Sequence, residues 1–176
     1  MLYVSSINNT MSHSVTITRT TAVSSGSAFY VNSGYLSTMP GLLKLAQLLL
    51  GAACVGIVGY YMEHGGYYNV SPKAELFYLL IAVTFLIGTF CILLSCIISL
   101  ATASILSKTI YEVIYHSIAC LLYFAAGLTF LIEVNHHKNS YNRSYEPYLA
   151  ASIMGLVMAF LYLVSTYLAN RSYRGI

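Results

Sequence analysis

The chain has 176 residues, 58% of them hydrophobic and only 7% charged, with a formal net charge of +3. A soluble domain carries about 25% charged residues, so this composition excludes a water-soluble fold. Eight scattered Lys and Arg side chains also give no basic surface for nucleic acid.

Residues Met1–Met39 are rich in Ser and Thr, carry one charge, Arg19, and show no helical apolar period. Such a segment cannot bury enough surface to offset its ordering entropy. It is expected to be a disordered, cytoplasmic tail. It lacks a basic start followed by an apolar core, so the first crossing is expected to act as the targeting signal.

Four apolar stretches follow: Leu42–Met62, Leu76–Leu106, Val113–Ile132 and Tyr148–Asn170. Lys44 lies near the start of the first, and the other three contain no Lys, Arg, Asp or Glu. A helix needs about 20 apolar residues to cross a bilayer, and lipid requires every backbone polar group to be satisfied internally. The predicted fold is therefore all-α, an integral membrane four-helix bundle. Its domain spans residues 40–170, with transmembrane helices over about 42–62, 76–106, 112–134 and 148–170 and a short cytoplasmic tail at 171–176.

The first helix is expected to begin after Met39-Pro40-Gly41, since a proline's missing N–H costs nothing at or near a first helical turn. Gly65-Gly66 and Ser71-Pro72 mark the turn before the second. Only Ser107–Tyr111 separates the second and third, which must be antiparallel neighbours. The polar gap Glu133–Pro147 precedes the fourth. Four crossings leave both termini on one side with Arg19, Lys44, Lys108, Arg171 and Arg174, against Lys73, Lys138 and Arg143 on the other. This bias favours cytoplasmic termini and would place the sequons at Asn69 and Asn142 on the opposite face.

Tyrosines gather at crossing ends: Tyr60, Tyr61, Tyr67, Tyr68, Tyr111, Tyr115, Tyr145 and Tyr148. With no Trp in the chain, they are expected to form the interfacial aromatic belt. Cys54, Cys91, Cys96 and Cys120 all fall inside predicted helices and read as small hydrophobes, not disulfides or lipidation sites.

Small residues recur every four positions, as Ala52 and Gly56 in the first helix and Ala151, Gly155 and Ala159 in the fourth. Such faces let helix backbones approach closely, within the bundle or against another membrane protein, a second copy included. Gly88 lies outside any such stripe and is expected to tolerate a larger side chain better than Gly155.

Ionisable residues in a membrane carry a functional hypothesis by default. Glu112 and His116, four apart at the start of the third helix, are the candidate proton relay. All such groups sit within about a turn or so of an interface, however, and are expected to snorkel to water. His136-His137 with His64 could suggest metal capture, but zinc needs three or four fixed ligands. No metal or cofactor site and no catalytic residue emerges, because nucleophile–base sets, phosphate loops and HExxH are missing from the sequence. Tyr173-Arg174-Gly175-Ile176 matches a Tyr-x-x-apolar cytosolic sorting pattern through Tyr173 and Ile176.

The segment Met39–Gly51 resembles the opening of MARVEL domains, in which a Gly-x-x-Lys-x-x-Gln/Glu-x-x-x-Gly string enters the first crossing. Here that string is Gly41, Lys44, Gln47 and Gly51. Ala150–Gly155, Phe160-Leu161-Tyr162 and Arg171-x-x-Arg174 are similar to the family's end, so the resemblance covers about Thr38–Arg174. It implies a four-helix bundle with cytoplasmic termini and a role in vesicle trafficking, membrane apposition or cell–cell fusion. The compact insect members tied to myoblast fusion look most alike.

These readings converge on a non-enzymatic membrane organiser at the plasma membrane or on secretory vesicles. Its partners would be the lipid bilayer and other membrane proteins. A small proton- or ion-linked channel or transporter, working through Glu112 and His116, is the alternative.

Overall fold

The computed structural model describes residues 33–64, 73–136 and 145–175. These form α1 (Ser33–Leu36), α2 (Met39–His64), α3 (Lys73–Ile98), α4 (Leu100–Leu106), α5 (Ile110–His136) and α6 (Tyr145–Arg174). Among the described residues, α2, α3, α5 and α6 are each long and apolar enough to cross a membrane. The architecture is an all-α four-helix membrane bundle.

Each long helix packs on the next in sequence, and α6 closes the ring against α2. The diagonal pairs, α2 with α5 and α3 with α6, have little backbone contact. The α5–α6 contact is the most extensive, and glycine explains it. A Cβ at Gly127 would meet the Leu156 backbone nitrogen at 3.2 Å and the Gly155 carbonyl carbon at 3.3 Å. Leu121, Phe160 and Leu80 point outward at 69%, 63% and 59% exposure, as suits side chains facing hydrocarbon.

Helix boundaries depart from the sequence reading in three places, each for a local reason. First, Thr38 caps α2, which therefore begins at Met39 and not after Gly41. Its hydroxyl accepts from the Gly41 N–H at 3.3 Å and donates to the Tyr35 carbonyl at 2.6 Å. Ser33–Leu36, expected to belong to the disordered tail, form a turn of helix against α2 and α3. Residues 1–32 of that tail lie outside the described residues, as do both sequons.

Second, the stretch 76–106 is not one helix. Ser99 adopts an extended conformation (φ −132°, ψ 114°), and its hydroxyl accepts from the Thr102 N–H at 3.2 Å. A serine side chain competes locally with helical hydrogen bonding, and here it ends α3 and starts α4. Third, α6 runs on to Arg174, so the expected tail at 171–176 is largely helix. Gly175, at φ +72°, terminates it in the left-handed conformation that glycine takes readily.

The tyrosine belt also needs correction. Tyr60 and Tyr111 are exposed near helix ends as expected. Tyr148 is fully buried, and so are Tyr78 near the start of α3 and Tyr123 and Tyr162 in the middle of the bundle. The rings of Tyr123 and Tyr162 stack at 5.5 Å, and Phe85 lies 5.9 Å from each. Tyrosine here is a core residue as much as an interfacial one.

The small residues separate by direction. Ala151, Gly155 and Ala159 face the core. A Cβ on Gly155 would lie 2.5 Å from Cε2 of Tyr78, a ring whose hydroxyl already donates to the Ala151 carbonyl at 2.6 Å. Ala52 and Gly56 face outward, and a Cβ on Gly56 meets nothing within 4 Å. Gly88 does not match its expected tolerance, because a Cβ there would sit 2.6 Å from the Tyr115 hydroxyl. Overpacking costs about 1–3 kcal/mol. Gly155→Leu and Gly88→Leu should both lower the unfolding midpoint in lipid nanodiscs, while Gly56→Leu should leave it nearly unchanged. A loss at Gly56 matching that at Gly155 would contradict this division of faces.

Candidate functional site

The terminus-bearing end of the bundle holds its charged core. Lys44, Glu112 and His116 are 2%, 6% and 1% exposed. By the rise of an α-helix, Lys44 lies about 8 Å beyond the start of α2. The ammonium of Lys44 donates to Glu112 Oε1, crossing the diagonal between α2 and α5. His116, one turn on, places Nε2 3.6 Å from the same oxygen, too far for a hydrogen bond. The candidate relay pair thus comes together, joined by Lys44.

This overturns the expectation that these groups snorkel. Burial is tolerated because the charges neutralise each other, as membrane-embedded ions must. Tyr35 of α1 lies above the pair, its ring centroid 6.0 Å from the Lys44 nitrogen. Burial pushes the Tyr35 hydroxyl above its ordinary titration range, with the nearby Cys96 adding to the effect. The phenol remains a neutral donor.

The four residues of the first-helix string share one buried face, and each meets a different neighbour. Gly41 lies under the Tyr35 carbonyl, leaving no room for a side chain. Lys44 reaches α5. Gln47 Nε2 donates to Ser165 Oγ of α6 at 2.8 Å. A Cβ on Gly51 would be in ordinary contact with Leu86 and Met158, at 3.4 and 3.5 Å. The string works as a seam that gathers α1, α3, α5 and α6 around α2.

Further polar bonds tie α3 to α6 across the other diagonal. Thr89 Oγ1 is 2.7 Å from the Tyr162 hydroxyl and 3.0 Å from that of Tyr115 on α5. At the far end the Tyr148 hydroxyl donates to Glu75 Oε2 at 3.3 Å. Sequence reasoning missed Glu75, Thr89, Gly127 and Ser165. Glu75 was hidden by its place in a presumed loop, and single hydroxyls carry no signal of which face they occupy.

Other candidate sites stay dispersed. Tyr173 is exposed on the last turn of α6, and Ile176 lies outside the described residues, so the sorting pattern begins on a helix. The His64 ring stacks on Tyr60 at 4.5 Å. His137 lies outside the described residues. Among the described residues no three His, Cys, Asp or Glu side chains converge on a metal position. The four thiols are free, with Cys54 and Cys96 buried, Cys120 half-buried and Cys91 exposed.

A family model described as a membrane-associating domain, MARVEL, matches residues 35–168, which include the Lys44–Glu112 clasp, the first three crossings and most of the fourth. The chain belongs to the MARVEL family. It is 28% identical over 152 residues to Protein singles bar of Drosophila melanogaster, an alignment covering 82% of this chain and 85% of that protein. No solved structure matches the chain. In this MARVEL protein the clasp and the seam lie within the matched segment, so the family's first-helix string and the bundle's charged core are one structural unit.

Removing one partner of a buried ion pair costs about 3–5 kcal/mol, whereas an apolar pair of similar volume is often tolerated. Lys44→Met and Glu112→Leu should each strongly reduce folded protein in membranes. Lys44→Met combined with Glu112→Leu should recover a substantial part of it. The check is the unfolding midpoint of all variants in one detergent or nanodisc. Simple additivity of the two losses would show that the residues are not energetically coupled.

Proposed function

We propose that this protein organises membranes without catalysis, acting in vesicle trafficking, membrane apposition or cell–cell fusion. Family membership supports the general role, since the MARVEL family organises membranes. The similarity to singles bar, a myoblast fusion protein, favours fusion as the specific one.

One structural observation carries the reading. Buried polar side chains tie the helices to one another, Lys44–Glu112 and Thr89–Tyr162 across the diagonals and Gln47–Ser165 between neighbours, whereas α2 turns Ala52 and Gly56 outward with open space over Gly56. Polar groups that hold helices together fit a rigid scaffold, and an outward small-residue face suits close approach of another transmembrane helix. The protein would sit in the plasma membrane or in secretory vesicles with both termini in the cytoplasm.

Ala52→Leu with Gly56→Leu should preserve folding and membrane location but fail to rescue the trafficking or fusion defect of cells lacking the protein. Full rescue would remove this face from the mechanism. Purified protein in liposomes should produce no ion flux above that of protein-free liposomes, and a specific flux would instead favour transport through the Glu112–His116 region. Epitopes at Ser24 and after Ile176 should be accessible only in permeabilised cells. Surface labelling of either would reverse the proposed orientation.

A further inference from the structure

A cavity of about 40 Å³ opens beside the clasp, lined on its polar side by Lys44, Ser107, Glu112, His116, Ser165 and Ser172. We propose that it is a water-binding site whose ordered water completes the hydrogen bonding of His116 and Lys44.

The hydrogen-bond inventory points there. A lysine ammonium has three donors, and Lys44 uses one on Glu112. A neutral imidazole offers one donor and one acceptor. Neither ring nitrogen of His116 meets a hydrogen-bond partner, although the residue is 1% exposed. Burial strips such groups of their hydration, a loss that only a new hydrogen-bond partner offsets. The cavity supplies what they lack. A water needs about 10–15 Å³ of such volume and two to four polar partners, and both are present. Water accepts from the ammonium and donates to the bare ring nitrogen, while the serine hydroxyls offer further partners.

Size and position restrict the site further. The volume suits one to a few waters and excludes larger solutes. Its lining comes from the start of α2, the α4–α5 connection, the start of α5 and the end of α6. All of these lie at the terminus-bearing end, so water enters from that face. Inward, the Tyr162 ring stands 5.7 Å from the His116 ring, backed by Tyr123. The hydrated volume therefore ends at an aromatic wall and does not run through the bundle.

Water-edited solid-state NMR on the full chain in lipid nanodiscs, uniformly labelled with 15N, tests the assignment. His116→Gln identifies the His116 signals by their loss. Magnetisation from water should reach the His116 ring nitrogens about as fast as those of the exposed His64. Transfer as slow as that into the buried core around Phe130 would overturn the proposal. A second arm compares unfolding midpoints. A wet cavity favours a side chain that can bond water, so His116→Gln should melt at a higher temperature than His116→Phe. An equal or higher midpoint for His116→Phe would indicate a dry site and overturn the inference.

Discussion

Lipid hydrocarbon solvates Leu, Ile and Val about as well as another helix does, so apolar side chains alone give transmembrane helices little reason to choose one arrangement over another. The choice falls to interactions that lipid cannot imitate. In this bundle those are the Lys44–Glu112 pair, the Gln47–Ser165 and Thr89–Tyr162 bonds and the Tyr78 hydroxyl on the Ala151 carbonyl. Of these, the ion pair is the most demanding, because either charge alone would be buried without compensation. The position of α2 relative to α5 is fixed by that requirement.

Placing the polar bonds on diagonals has a geometric logic. Neighbouring helices can be joined by close backbone contact, as Gly127 joins α5 to α6. Opposite helices are too far apart for that and are spanned by long side chains: lysine with glutamate on one diagonal, tyrosines on the other. This explains why the core is rich in tyrosine. A phenol fills volume like phenylalanine and still carries a hydroxyl across the bundle.

The crossings were legible because their signal is summed over some 20 residues and the bilayer admits few alternatives. The family string was legible as a pattern, but its meaning was not. Lys44 reads as an interfacial charge until Glu112, 68 residues later, is known to lie opposite it. Sequence spacing places Glu112 and His116 on one face, yet it cannot say whether that face looks into water, lipid or another helix. The same ambiguity made Ala52 and Ala151 look equivalent, although one faces outward and the other is core. The break at Ser99 escaped detection because serine is common inside transmembrane helices, and only its extended backbone distinguishes it as a cap.

The long separation of the clasp's partners also shapes how the protein is made. Ribosomes add about 5–20 residues per second, so the 68 residues between Lys44 and Glu112 take roughly 3–14 s to synthesise. During that interval α2 carries a lone ammonium that its own sequence cannot neutralise. Gln47 waits longer still, for Ser165, 118 residues downstream. The nascent first helix must therefore linger near water, translocon or chaperone until α5 arrives, and a chain truncated before Glu112 keeps a charge by which quality control can recognise it.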